Sequence, residues 1–212
     1  MPLFQVSVPI IDFHGIIRSS NNKLQSLIRI IWKKKMEELT NHVIYELLKN
    51  KYSRLALDYV IFSADEYAGI GTHKNAVIKA FEIISKRYDD NYDVTAEKME
   101  ATLSDIDDFL RLPDDDYYNR RTEVNRGFSI PDIIPYWYAF LEPPYTAHYL
   151  IGDFIEFNDI LFPNKQEIEV YRWNDDFSNY FDDGKEWWGT GLWSAYDKST
   201  GIIVIIGASI TD

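Results

Sequence analysis

Near its C-terminal end the chain carries two apolar runs, EWWGTGLWSAYD (186–197) and GIIVIIGAS (201–209), joined by the turn residues DKSTG (197–201). So short a link between two segments rich in β-branched and aromatic residues specifies an antiparallel hairpin. EIEVYRW (167–173) adds a strand before it, and the three together read as a meander. Placed after a largely helical first half, they predict an α+β protein: N-terminal helices packed on one face of a C-terminal, mainly antiparallel sheet, as a single domain over residues 1–212.

The helices are read from periodicity. Ser19–Asn21 offer N-caps for a helix from about Asn22 to Lys49, along which Leu24, Ile28, Ile31, Met36, Leu39, Val43 and Leu47 form one stripe, with Lys33–Lys35 as a solvated basic face. GIGTHKN (69–75) opens a second helix, about Lys74 to Tyr88, but its glycines lack the spacing of a nucleotide-binding loop. Met99, Leu103, Ile106 and Phe109 predict a third helix from Thr95 to Leu110, and residues 150–163 a fourth, N-capped by Asp153. LALDYVIFS (55–63) and Tyr136–Leu141 read as strands, and residues 3–17 as one or two edge strands broken at Pro9. The polar stretch 113–127 reads as an exposed loop and the candidate sub-boundary within the domain.

Cysteine is absent, which removes disulfides, thiolate metal sites and cysteine nucleophiles. No basic segment precedes the first apolar residues, and no apolar run approaches the roughly 20 residues that span a bilayer. A cytoplasmic protein without membrane contact is therefore expected. The net charge of −12 is unevenly spread: residues 1–100 carry 14 Lys/Arg and 13 Asp/Glu, residues 101–212 carry 8 and 21. Such an acidic second half repels nucleic acid and favours basic partners.

WNDDFSNYFDDGKEWWGT (173–190), on the connection between two of the expected strands, concentrates acids and aromatics. As a calcium loop counted from Asp175 it places Glu186 at the twelfth position but Phe177 at the third and Tyr180 at the sixth, so the ligand pattern fails. Asp182, Asp183, Glu186, Trp187 and Trp188 are the residue types of a glycosidase, which leaves a carbohydrate-active or metal-dependent hydrolase as the alternative reading. There is no GxSxG elbow, and His14, His42, His73 and His148 stand in unrelated contexts. No catalytic residue, metal ligand or cofactor is assigned. The favoured chemistry is recognition of a basic protein, with Asp175, Asp176, Tyr180, Asp182, Asp183, Glu186 and Trp188 as the partner-binding set. Strand alternation would place Trp187 and Trp188 on opposite faces, and Trp193 reads as core.

Residues 140–212, in which an EWWG segment precedes a WSAYD hairpin and an ASITD terminus, resemble the C-terminal part of small bacterial proteins similar to the immunity proteins of toxin systems. The resemblance implies a protein that works by binding, with a toxin as its basic partner.

Overall fold

The computed structural model describes residues 36–64, 66–114, 134–144 and 148–209. By contact the chain divides into Met1–Met36 and Glu37–Asp212. Six strands build the sheet: β1 (Met36–Glu38), β2 (Asp58–Ala64), β3 (Ala101–Ser104), β4 (Ile168–Trp173), β5 (Gly191–Asp197) and β6 (Ile202–Ala208), in the spatial order β1-β2-β6-β5-β4-β3. The pairings of β2 with β6, β6 with β5, β5 with β4 and β4 with β3 are all antiparallel. The expected hairpin is β5–β6, closed at Gly201, whose φ of 67° suits a residue without a Cβ. Together with the helices below, this is an α+β fold.

Helices cover both faces of the sheet, which corrects the expectation of one covered face. The register sets Trp193 opposite Ile206 and Ala195 opposite Val204, so these residues share a face with Tyr59, Ile61 and Val170. That face packs with the buried side chains of α1 (Val43–Asn50), the short α3 (Ile106–Phe109), α4 (Tyr136–Leu141) and α5 (Ile151–Leu161). The opposite face lies against α2 (Ile70–Tyr88), which touches β2, β5 and β6. Along α2 the buried His73, Ala76, Val77, Ala80, Phe81 and Ile84 recur at three- and four-residue spacing. Burial on both sides explains why β5 and β6 are apolar almost throughout instead of alternating.

Several local expectations give way. Met36–Glu38 is a strand, and His42 caps the helix that follows: its Nδ1 accepts the Ile44 N–H at 3.4 Å, while the expected caps Ser19–Asn21 lie outside the described residues. Burial pushes the His42 pKa down. Residues 3–35 of the expected first strand and first helix lie outside the described residues, as do 115–127 of the expected loop. The predicted helix 95–110 is instead a 3-10 turn at Ala96–Lys98, then β3, then α3 capped by Asp105. Its apparent stripe fails at Leu103, which is 62% exposed, because pairing with β4 organises this stretch. The reverse happens at Tyr136–Leu141, where Tyr136, Ala139 and Phe140 are buried at helical spacing. Asp153 is not the N-cap of α5 but lies within its first turn and accepts the N–H of the capping Leu150 at 2.9 Å.

Candidate functional site

The connection between β4 and β5 carries α6 (Asp182–Trp187), so the strand expected from Glu186 begins only at Gly191. This crossover sorts the seven predicted binding residues into three groups. Asp176, Asp182, Asp183 and Glu186 are exposed. Asp175 is turned inward: one carboxylate oxygen accepts the Thr190 hydroxyl at 2.6 Å, and Lys185 donates to its backbone carbonyl at 2.8 Å. It shapes the loop, while Lys185 also reaches Asp176 at 3.3 Å.

Tyr180 and Trp188 are buried, which corrects their assignment to an exposed contact set. Tyr180 packs edge-on against Phe81, Tyr92 and Phe181, and its hydroxyl donates to Asp58 at 3.0 Å. Gly207 makes room for it, since a Cβ there would meet the Tyr180 hydroxyl at 2.7 Å. Trp188 belongs to the same core as Trp193 and donates its indole N–H to the Glu142 carbonyl at 3.0 Å. An indole so committed offers no face to a sugar ring.

A second acidic segment lies beside the first. After α2 the chain runs through Asp89, Asp90, Asn91, Tyr92 and Asp93, and it is stitched to the crossover residue by residue. Asp93 N–H donates to Asn179 Oδ1 at 2.8 Å, Asn179 Nδ2 donates to the Asn91 carbonyl at 3.0 Å, and Thr95 N–H donates to the Phe177 carbonyl at 2.8 Å. Further along, Asn174 accepts from Glu100 N–H and donates to the Lys98 carbonyl, each at 3.0 Å. Asp89 stands at the helix end with φ 54°, a left-handed conformation that turns the chain toward this contact. Asp89, Asp90 and Asp93 on the one segment are exposed, as are Asp176, Asp182, Asp183 and Glu186 on the other.

Asp90 and Asp183, from the two segments, line one cleft of about 380 Å³ with Tyr88, Tyr92, Tyr180 and Asp58. Tyr92 registers the field there: its pKa is pushed up to about 12, first by burial and then by Asp90, Asp58 and Asp183. Asp58 itself is buried. Arg87 pairs with it at 3.1 Å and the Tyr88 hydroxyl donates to it at 2.9 Å, against the burial that pushes its carboxyl pKa up. Arg87 is thereby committed to a buried acid.

Sequence reasoning missed Asp89, Asp90 and Asp93 because the first half of the chain is nearly neutral by count. The usable signal was RYDDNYD (87–93), an acidic run immediately after a well-formed helical pattern. Among the described residues no group of three or more His, Asp or Glu is placed to hold a metal ion, and no helix is long and apolar enough to cross a membrane. No protein-family model matches this chain, and no curated protein is significantly similar to it in sequence.

Proposed function

We propose that this protein acts by binding a basic protein, docking it on the acidic surface where the segment after α2 meets the β4–β5 crossover. One observation carries the reading: two acidic segments far apart in sequence are held side by side by specific hydrogen bonds, with Asp90 and Asp183 on a shared cleft. Like charges drawn together this way oppose folding and gain their stabilisation from an outside cation. Exposed carboxylates steer a basic partner during approach, and tyrosines at the cleft supply area for contact once it arrives. The likeness of residues 140–212 to immunity proteins supports the finer proposal that the partner is a toxin which this protein neutralises.

The test uses the full chain and a variant with Asp90, Asp93, Asp182 and Asp183 changed to asparagine. Each serves as bait for partner capture, and association rates with the purified partner are then measured at low and high salt. The reading expects a basic partner, faster association for the wild type at low salt, and a flattened salt dependence in the variant. Identical salt slopes for the two proteins would remove the proposed surface.

A further inference from the structure

At the other end of α2, away from the acidic surface, a string of hydrogen bonds ties the helix to the sheet. Trp173 donates its indole N–H to Ser194 Oγ at 2.8 Å, and Ser194 Oγ lies 2.8 Å from His73 Nδ1. His73 Nε2 lies 2.9 Å from the Tyr67 hydroxyl, which donates to Glu169 Oε1. His73 and Ser194 are both fully buried.

Chemistry fixes the sense of this string. An indole only donates and an ionised carboxylate only accepts, so the two ends admit one arrangement in which every member is satisfied. Ser194 donates to Nδ1, Nε2–H donates to Tyr67, and His73 is therefore the neutral Nε2–H tautomer. The groups around the ring are Tyr67 from the segment before α2, Glu169 and Tyr171 from β4, and Tyr196 from β5, with Lys198 at 3.5 Å from Glu169. Burial first, then neighbouring acids, keep all three tyrosines neutral. Glu169 is held below its ordinary value because the Tyr67 hydroxyl and Lys198 outweigh its own burial.

We propose that the string Trp173–Ser194–His73–Tyr67–Glu169 is an acid-operated latch, which holds the first turns of α2 on the sheet while His73 is neutral and releases them when the ring gains a second proton. That proton would sit on Nδ1 and point at Ser194, whose oxygen already accepts from Trp173. The serine hydrogen would lose its acceptor within the string, and a cation would be confined in a dry, aromatic setting. The pKa of His73, lowered by burial to about 4 against Glu169 and a hydrogen bond to the Ser194 backbone, which both favour the charged ring, agrees with this cost. The latch depends on no part of the docking proposal.

The experiment follows His73 ring signals and backbone amide exchange by NMR on the full chain, from neutral pH to below about 4. The wild type should show the neutral Nε2–H ring at neutral pH. Amides in the first turns of α2 should lose protection by about tenfold or more as the ring titrates, while those of β5 and β6 keep theirs. Glu169→Gln keeps an acceptor for Tyr67 but removes the negative charge at the end of the string, so ring titration and helix release should move together to lower pH. Lys198→Met, at an exposed position, strips that charge of its partner and should move both to higher pH. A substitution that merely weakened the fold would release α2 at higher pH in both cases. Ring titration at the ordinary histidine value, release without titration, or Glu169→Gln releasing at the same or higher pH would each overturn the latch.

Discussion

The two ends of α2 hold buried polar groups in opposite ways. At the N-terminal end the string through His73 and Ser194 is buried and uncharged until it reaches Glu169. At the C-terminal end Asp58 is buried as an acid, answered by the half-exposed Arg87 and by the hydroxyls of Tyr88 and Tyr180. A neutral network depends on every donor finding its acceptor, whereas a buried ion pair depends on its counter-charge. The first end is therefore sensitive to protons and the second to loss of a cation. The second also commits the half-exposed Arg87 to Asp58 and to the Tyr59 carbonyl.

The contrast can be broken most forcefully at Arg87. Arg87→Ala should destabilise the protein by about 3–5 kcal/mol in urea unfolding, because the buried carboxylate keeps only its tyrosine donors. An effect below about 1 kcal/mol would show that Asp58 needs no cation. Next in size is the response to acid. The unfolded chain takes up the histidine proton near pH 6.5 and folded His73 only near 4, so this contribution is complete above 6.5 and lost as pH falls through that window. The loss should reach about 3 kcal/mol, with Glu169 adding loss of the same sign below its unfolded value. Stability curves against pH for the wild type and His73→Gln should converge toward acid if this is right.

Ser194→Ala sharpens the comparison further. It deprives both Trp173 N–H and His73 Nδ1 of a partner and should cost about 2–3 kcal/mol, whereas Tyr180→Phe leaves Asp58 two other donors and should cost about 1 kcal/mol. Equal costs by chemical denaturation would mean that the two ends are not organised differently. The smallest effect is expected from the fourfold asparagine variant of the acidic surface, whose unfolding free energy should stay within about 0.5 kcal/mol of wild type or rise slightly as repulsion is relieved.

How legible these features were in the sequence depended on length and period. The β5–β6 hairpin and most of α2 were readable because a tight turn and a long helical pattern each carry their own evidence, although α2 begins at Ile70 and not near Lys74. Tyr136–Leu141 was not, since six aromatic-rich residues fit either period, and the 95–110 stripe mimicked a helix in a stretch whose backbone pairs with β4. At the site the exposed acids were identifiable from composition. The burial of Tyr180 and Trp188 was not, because an aromatic beside acids looks the same whether it faces solvent or core. His73 lies on the apolar stripe of α2, yet nothing local indicates that Ser194, 121 residues later, completes its hydrogen bonding.

The sequence by itself determined the α+β class, the hairpin, the helical character of most of α2 and the acidity of the crossover, all of which rest on short-range pattern and turn chemistry. Tertiary structure alone decided that helices cover both faces of the sheet, that Asp90 and Asp183 meet at one cleft, and that Arg87 serves a buried acid. The physical reason is that these outcomes rest on long-range register and on which polar groups must find partners once water is excluded. No local propensity encodes either.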